Sequence, residues 1–374
     1  MKILISLTYF EPNISGVTIY AKRLAQGLLA RGHQVTILTS RHQPDLPKRE
    51  KKAGLTIIRD WVAFCLGKGV IMPLFPFSSY RLVKEADVVN CHLPQFEAIF
   101  LAFWAKILKK RLILTHHTDL SGWPGFFNRL SEGVVNLSQI ITASLADKIV
   151  VYTKDYANHS RFLSRFRQKL VFTYPPVVVA QPDKAYKKEL SQKLSGVKYR
   201  IGFSGRIARQ KGLPILLKAI PILKKELASF KIILAGPKKI IGEDFAQEIA
   251  PEIKKYSENI LFLGPLDQKQ LAAFYQVIDL LVLPSDDTLE SFGIVQVEAM
   301  LFGRPVVAAN LPGVREPVEK TGFGKTFLVG DSSDLAKKIV SLLSGPKTAV
   351  DKSKAEEIFS YQKTIDCYDW LFDK

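Results

Sequence analysis

The sequence predicts an α/β chain composed of two doubly wound parallel-sheet domains that are joined by a linker. Its 374 residues exceed the size of one ordinary domain. Short apolar strand patterns alternate with helical patterns in both halves, which is typical of a parallel sheet with helices on its two faces. Prolines and a lysine-rich run interrupt this alternation between residues 174 and 197, which indicates a boundary between two sheets.

The first half begins with a strand–helix–strand unit. Residues 2–8 form an apolar strand pattern, residues 17–30 have the apolar spacing of a helix, and residues 34–38 form the next strand. Gly32 is placed to end the helix, because glycine readily adopts the left-handed conformation found just after a helix. Further strands are predicted at residues 87–89, 111–115 and 148–152, and a further helix at residues 96–108.

The second half repeats this alternation. Its strands are predicted at residues 199–203, 231–235, 260–263, 280–283 and 305–309. The predicted organisation is a first domain at residues 1–178, a linker at residues 179–197, a second domain at residues 198–354 and a C-terminal helix within residues 355–374.

The net charge of the chain indicates which classes of partner it binds. The net charge is +18, and residues 1–180 carry most of it, with 24 Lys and Arg against 11 Asp and Glu. Such an excess favours an anionic partner, such as a membrane surface or an anionic acceptor. Nucleic acid is not expected, because the sequence has no RNP, zinc-finger or basic-zipper pattern.

Cysteine usage and hydropathy indicate the compartment. The three cysteines are widely spaced without a CxxC pair, which argues against a disulfide framework or a structural zinc site. The most apolar run is too short to span a bilayer, and the apolar N-terminus continues into a loop without a signal-peptide cleavage site. These features predict a cytoplasmic protein, with peripheral association at the inner face of the membrane as the expected mode of membrane contact.

The strongest chemical signal lies within residues 281–318. An apolar strand is followed by a polar loop that carries Glu290 and by a helix that carries Glu298. Amides at the start of this helix and the helix dipole favour a phosphate, and the two carboxylates suit the hydroxyls of a sugar and of a ribose. A pair of solvated or capping glutamates is the alternative. The donor-binding residues predicted at the helix start are Ser291, Phe292, Gly293 and Ile294.

A second signal follows the first strand of the second half. Gly205, Arg206 and Lys211 lie in a glycine-containing turn that opens a helix. Arginine offers a planar fork to phosphate oxygens and lysine offers a point charge. The turn therefore predicts binding of a diphosphate and neutralisation of its charge as it leaves, and an ordinary basic surface turn is the alternative.

Two weaker signals lie in the first half. Gly16, directly before a helix, lets backbone amides approach a phosphate, although a simple tight turn is the alternative. His92, His116 and His117 end predicted strands and are expected at one edge of the sheet. A zinc site and satisfied structural histidines are both open interpretations of these side chains.

No metal ion and no cofactor are expected. Asp286 and Asp287 are adjacent, so the sequence lacks the spaced DxD that chelates a nucleotide-bound metal, and it also lacks a phosphate-binding P-loop, GxSxG and HExxH. Stabilisation of a leaving group is then expected from Arg206, Lys211 and helix termini.

These motifs resemble those of the family-4 retaining glycosyltransferases, which have the GT-B architecture of two Rossmann-like domains facing each other across a cleft. The resemblance covers nearly the whole chain. It is carried by the glycine loop at Gly16, the HSD-like element at residues 117–119, the GRxxxxKG element at residues 205–212, and the E-x7-E pair Glu290 and Glu298. Two departures are Ser291, where glycine is frequent, and the sequence LPGVR at residues 311–315 in place of the usual GG.

The resemblance implies the transfer of a hexose from a nucleoside diphosphate sugar to a hydroxyl acceptor, with retention of the anomeric configuration. It assigns Arg206 and Lys211 to the donor diphosphate, Glu290 to the transferred sugar and Glu298 to the ribose. His117 would contact the sugar or the reacting oxygens. The implied acceptor is a lipid-linked or other cell-envelope glycan precursor.

The resemblance also implies that Gly16 approaches a phosphate, that the C-terminal helix returns to the first domain, and that the active site lies in the cleft between the domains. Two other functions remain as alternatives, namely a nucleotide-sugar-binding protein without transfer activity and a GT-B-like sugar-nucleotide epimerase. An NAD-dependent oxidoreductase is disfavoured, because the GxGxxG fingerprint is missing.

The acceptor is expected against the basic first domain. Apolar side chains beside cations suit peripheral binding to an anionic lipid surface with salt-sensitive affinity, and core packing is the alternative for about half of them. The side chains are Trp61, Phe64, Leu66, Ile71, Leu74, Phe75 and Phe77 around Lys68, and nearby Trp123, Phe126, Phe127 and Arg129.

Overall fold

The computed structural model describes residues 1–66, 69–120, 126–237, 245–345 and 351–374. These divide into two compact units, one formed by Met1–Pro176 with Tyr361–Lys374 and the other by Val177–Ser360. Within the described ranges, no helix is both long enough and apolar enough to cross a membrane.

The secondary structure alternates strands and helices along both units. The elements up to residue 172 are β1 (Lys2–Ser6), α1 (Gly16–Ala30), β2 (Gln34–Arg41), β3 (Arg49–Lys52), β4 (Leu55–Trp61), β5 (Phe64–Leu66), β6 (Gly69–Ile71), α2 (Phe75–Glu85), β7 (Val88–Leu93), α3 (Ala98–Ile107), β8 (Arg111–His116), α4 (Phe126–Leu145), β9 (Lys148–Val151), α5 (Lys154–His159) and β10 (Leu170–Phe172). The later elements are α6 (Lys184–Lys193), β11 (Tyr199–Ser204), α7 (Leu213–Glu226), β12 (Phe230–Ala235), α8 (Phe245–Lys255), β13 (Ile260–Gly264), α9 (Gln268–Val277), β14 (Leu280–Leu283), α10 (Ile294–Leu301), β15 (Val306–Ala309), α11 (Glu316–Thr321), β16 (Gly324–Phe327), α12 (Ser332–Ser344), α13 (Lys352–Ile358) and α14 (Tyr361–Asp373).

The sheet of the first unit has the strand order β10-β9-β8-β7-β1-β2-β4-β3. The described strands pair in parallel except β3, which is antiparallel to β4. The central strands are almost wholly buried; every residue of β7 is buried, as expected for a sheet covered on both faces. The predicted doubly wound parallel sheet is therefore confirmed in this unit.

The antiparallel β3–β4 hairpin is not predicted from the sequence. Its outer strand is the largely exposed run Arg49–Lys52, which lacks the apolar alternation on which strand prediction depends. The turn uses Ala53 and Gly54, both at positive φ (48° and 81°), the conformation of a two-residue hairpin turn. Charged side chains suit an edge strand because they discourage pairing with other chains.

The sheet of the second unit has the strand order β13-β12-β11-β14-β15-β16. Its described strand pairs are parallel, which confirms a second Rossmann-like sheet. At the centre of this sheet β14 lies next to β11, so the strand order reverses there. Doubly wound sheets bind ligands at such a switch point, beyond the carboxyl ends of the strands.

The boundaries differ from the predicted ones. The units divide at Pro176–Val177, and the segment predicted as a linker, residues 179–197, contains α6. The Asp183 side chain caps this helix by accepting from Tyr186 N at 3.0 Å, and α6 packs against α9 within the second unit. The lysine-rich composition therefore belongs to the exposed face of α6, and Leu190 is the buried residue on the opposite face.

The C-terminal segment predicted as one helix is two. α13 belongs to the second unit and α14 to the first. In the first unit, the Tyr368 hydroxyl of α14 lies 2.8 Å from that of Tyr20 and 2.6 Å from Thr115 Oγ1. Arg31 donates to Asp369 at 2.7 Å. A buried hydroxyl network and a surface ion pair thus fix the last helix to α1 and β8.

Candidate active site

The loop after β11 places Gly205 against the loop after β12. The Gly205 amide donates to Ala235 O at 2.9 Å, and Ile207 N donates to Pro237 O at 3.0 Å. A Cβ atom built on Gly236 would lie 1.9 Å from Gly205 O, so the two backbones approach more closely than side chains would allow. Arg206, between these anchored residues, is half-buried at the carboxyl edge of the sheet.

Gly212 brings the start of α7 against the end of β14. Its φ is +62°, and a Cβ atom there would lie 1.8 Å from Pro284 O. This contact places the preceding Lys211 beside the loop that follows β14. Lys211 Nζ donates to Glu290 Oε2, and Ser285 Oγ donates to the same oxygen at 3.4 Å.

The Lys211–Glu290 ion pair is partly shielded from water. The exposed fractions of the two side chains are 19% and 13%, so the attraction is screened less than in a surface pair. The Lys211 Cε atom lies 3.8 Å from the Cβ position of Gly205. The structure therefore brings Glu290 together with Gly205 and Lys211 of the glycine-containing turn, which the sequence predicts as a separate signal.

Glu298 lies on α10 and is held by a neighbour on α9. It is buried, with 4% of its surface exposed, and its Oε2 accepts from the Tyr275 hydroxyl at 2.9 Å. Gln296 fixes the start of the same helix by donating to Phe292 O at 2.8 Å and to Val314 O at 2.9 Å. A buried carboxylate with a fixed orientation suits recognition of a diol better than a solvated glutamate does.

The residues at the start of α10 are largely buried. Ser291, Phe292 and Gly293 are buried, and Ile294 is half-buried. The Phe292 ring packs edge-on against Phe359 with 5.9 Å between the ring centroids. Apolar anchoring of this loop therefore orders the helix start and limits its contact with solvent.

In the first unit, Gly16 is the first residue of α1. Ser15 caps the helix by accepting from Thr18 N at 3.2 Å. Gly16 is exposed, and a Cβ atom on it would meet nothing within 4 Å. The packing of this chain therefore does not require glycine at this position.

The three histidines lie at one edge of the sheet, as predicted, and two of them are in contact. His92 Nδ1 lies 2.8 Å from His117 Nε2, and the Tyr152 hydroxyl hydrogen-bonds to His117 Nδ1. His116 pairs instead with Asp119, at 2.9 Å between Nε2 and Oδ1. Within the described ranges, no group of three His, Cys, Asp or Glu side chains is placed to hold a metal ion.

Burial keeps both members of the His92–His117 pair neutral. It lowers the pKa of His92 to about 3 and, with smaller contributions from His92 and His116, holds the pKa of His117 well below its usual value. Both ring nitrogens of His117 have partners within the first unit. The contact of His117 with the sugar stays a prediction, and in this arrangement the ring would act as a neutral hydrogen-bonding group.

A buried acid near the same edge makes the stability of the first unit depend on pH. Burial, and to a smaller extent the charge of Asp60, raise the pKa of Glu97 from 4.5 to about 7. Between these values Glu97 binds its proton in the folded unit but not in the unfolded chain, so the contribution of Glu97 to stability is fully present below about pH 4.5 and is lost as pH rises to about 7. The cost of ionising Glu97 is about 3 kcal/mol.

We therefore expect Glu97→Gln to flatten this dependence and to raise the free energy of unfolding at pH 8 relative to pH 5. Urea titrations at the two pH values, followed by tryptophan fluorescence, measure the free energy of unfolding of the first unit. All four tryptophans fall within the residues of this unit, namely Trp61, Trp104, Trp123 and Trp370. The exposed Glu85→Gln is the control. An equal change for both variants between pH 5 and pH 8 would contradict the assignment.

Two contributors were missed by sequence reasoning. Ser285 shares the Glu290 carboxylate, and Tyr275 holds Glu298. The position of Ser285 directly after the β14 strand and Pro284 is a signal that could have identified it. Tyr275 has no such signal, because it lies in an ordinary apolar helix pattern and its role depends on the packing of α9 against α10.

Two family models match most of the chain. The family model described as "Glycosyltransferase Family 4" matches residues 14–181, and the model described as "Glycosyl transferases group 1" matches residues 187–358. A glycosyltransferase of Methanocaldococcus jannaschii is 26% identical, with 85% of this chain and 83% of that protein covered. The phosphatidyl-myo-inositol mannosyltransferase of Mycobacterium leprae is 25% identical, with 95% and 89% covered.

The solved structures give the same fold. Anabaena HepE in complex with UDP and glucose matches with a TM-score of 0.78 at 19% identity, with 100% of this chain and 99% of that chain covered. The two family models together span both parallel-sheet units, from residue 14 to residue 358. The chain therefore belongs to glycosyltransferase family 4 and is a glycosyltransferase with the GT-B fold.

Proposed function

We propose that this glycosyltransferase moves a hexose from a nucleoside diphosphate sugar to a hydroxyl of a lipid-linked or other cell-envelope glycan precursor, with retention of the anomeric configuration. The observation that carries the proposal is the half-buried Lys211–Glu290 ion pair beside the Gly205 turn. It provides a cation for a diphosphate and a carboxylate for sugar hydroxyls, and these two groups are hydrogen-bonded to each other.

Donor binding is proposed to exchange this internal pair for contacts with the ligand. Lys211 and Arg206 bind the diphosphate oxygens, while Glu290, still oriented by Ser285, accepts hydrogen bonds from the sugar. Glu298 accepts the ribose hydroxyls. The open space at Gly16 supports the approach of a phosphate or sugar to the start of α1, where a side chain would obstruct it.

In the proposed reaction, the bond between the anomeric carbon and the diphosphate oxygen breaks, and a bond from that carbon to the acceptor oxygen forms on the same face. The acceptor proton passes to an oxygen of the leaving diphosphate. The two carboxylates proposed to bind the donor are held by neighbours, Glu290 by Lys211 and Glu298 by Tyr275. This supports binding roles for them in place of a nucleophilic role.

Leaving-group charge is proposed to be neutralised by Lys211 and Arg206 without a metal ion. Fixed positive charges aimed at a developing anion lower the barrier without reorganising at the moment of reaction. Turnover is then expected to persist in excess EDTA. A loss of activity that returns on adding Mg²⁺ or Mn²⁺ would contradict metal independence without affecting the assignment of the donor site.

The first experiment is a thermal-shift panel of UDP, GDP, ADP and NAD with the full chain. We expect one nucleoside diphosphate to raise the melting midpoint by roughly 5–10 °C at 100 times its Kd, and NAD to have no effect. UDP is the first candidate because the matched HepE structure holds UDP and glucose. GDP follows because a relative is a mannosyltransferase.

Sugar nucleotides of the best base are then supplied with a membrane-lipid extract, and transfer is followed by mass spectrometry and anomeric NMR. Donor binding without transfer or hydrolysis would favour a binding protein. Conversion of the donor into its epimer would favour the epimerase. A product with inverted configuration would overturn the retaining mechanism alone.

A further inference from the structure

The outer surface of three helices in the first unit is unusually apolar. α3 packs against both α2 and α4, and the inner residues of all three join one buried cluster. Among the side chains that the structure describes, seven large apolar ones are exposed on the outer faces of these helices. These are Phe77 and Tyr80 on α2, Phe103 and Ile107 on α3, and Val134, Leu137 and Ile141 on α4. We call this set the helix-layer surface.

The exposure is substantial and follows helical spacing. Phe77 is 72% exposed, Ile107 is 54% exposed and Leu137 is 59% exposed. On α4 the exposed residues recur at positions 134, 137 and 141, and residues 133–145 contain no charged side chain. A water-facing helical stripe without charge is a feature of surfaces that bind a partner.

Cations accompany these apolar side chains. Arg81 and Lys84 share the exposed face of α2 with Phe77 and Tyr80, and Lys106 lies between Phe103 and Ile107 on α3. Lys109 follows in the next turn and is also exposed. The acidic residues within the three helices are Glu85 and Glu132. The surface is therefore positive as well as apolar.

We propose that the helix-layer surface binds the face of an anionic lipid bilayer. Aromatic and aliphatic side chains enter the boundary between headgroups and acyl chains, while long lysine and arginine side chains reach the phosphates. A protein partner is disfavoured because protein interfaces are depleted in lysine, whereas three of the four cations described on this surface are lysines. Membrane contact is then on α2–α4, and we expect the exposed Trp61 and Phe64 near the β5–β6 hairpin to add to it.

Flotation of the full chain with vesicles tests the proposal. We expect binding to vesicles of phosphatidylcholine with phosphatidylglycerol, little binding to phosphatidylcholine alone, and a marked decrease at high salt. The double variant Ile107→Ser/Leu137→Ser should reduce partition about tenfold or more, because two apolar side chains no longer leave water. Lys106→Ala should reduce it about fivefold.

Matched variants keep the test specific. Leu328→Ser/Val329→Ser removes two exposed apolar residues of the second unit and should leave binding unchanged. Unaltered tryptophan-detected unfolding shows that the first unit stays folded in each variant. Donor binding in the thermal-shift panel should also be unaffected, so that failure of membrane binding is distinguishable from failure of the proposed reaction.

Several outcomes would overturn the inference. The first is that the wild-type chain does not bind anionic vesicles at low salt. The second is that Trp61→Ser/Phe64→Ser abolishes binding whereas the variants on α3 and α4 do not. A third is a dimer in light scattering that Ile107→Ser/Leu137→Ser dissociates, since the surface would then be an interface between two copies of this chain.

Discussion

Replacing Lys211 with methionine is expected to lower kcat/KM for the donor about 10³-fold, because it removes a positioned positive charge from the diphosphate as negative charge develops on it. Methionine keeps much of the length of the side chain, so packing beside Gly205 should persist. Steady-state kinetics with the nucleotide sugar identified by the panel measure the loss.

The control is Lys218→Met, an exposed lysine on the same helix, α7, which should leave kcat/KM unchanged. Removing Lys211 also leaves the half-buried Glu290 carboxylate without its cation. The double variant Lys211→Met/Glu290→Gln, with no uncompensated charge, separates this effect on stability from the effect on turnover. A Lys211→Met enzyme within threefold of wild type would remove Lys211 from the donor site.

Companion variants assign the neighbouring residues. Glu290→Gln keeps the shape of the side chain and part of its hydrogen bonding with Ser285, but removes the negative charge of the group that accepts hydrogen bonds from the sugar. Arg206→Met removes the second cation. Both should lower kcat/KM by about 10² or more. Unchanged turnover in all three single variants would contradict the whole assignment of the diphosphate site.

The convergence of three residues in the second unit could be predicted from the sequence because the signals for it are local. Gly205, Lys211 and Glu290 lie at strand ends of a parallel sheet, and the carboxyl ends of such strands meet at one edge. The convergence of His92 and His117 could be predicted for the same reason, since both come from the ends of adjacent strands β7 and β8.

Long-range packing accounts for what was missed. The pairing of Tyr275 with Glu298 and the apolar anchoring of Phe292 on Phe359 depend on neighbouring helices, which residue spacing does not reveal. Of the apolar stretch at residues 61–77, Trp61, Phe64, Leu74 and Phe77 are exposed, whereas Phe75 is fully buried. Lys68 and Trp123 lie outside the described residues, as do the side chains of Leu66, Phe126, Phe127 and Arg129.

Gly212→Ala is expected to have the largest effect on stability, with a loss of about 3 kcal/mol from the second unit. The new methyl group would lie 1.8 Å from Pro284 O, and this neighbour is backbone at the end of a buried strand, which cannot move aside as a side chain could. The positive φ of +62° adds the strain of a left-handed conformation for alanine.

Thermal unfolding measures this loss. For a unit of this size the midpoint detected by circular dichroism should fall by roughly 10 °C, while the tryptophan-detected transition of the first unit should stay in place. Gly322→Ala is the matched control, because Gly322 has a similar φ of +74° but open space where the Cβ atom would be. It isolates the cost of the left-handed conformation, about 1 kcal/mol. Equal midpoints for the two variants would show that the close approach of Gly212 to Pro284 O adds no cost beyond that of the left-handed conformation.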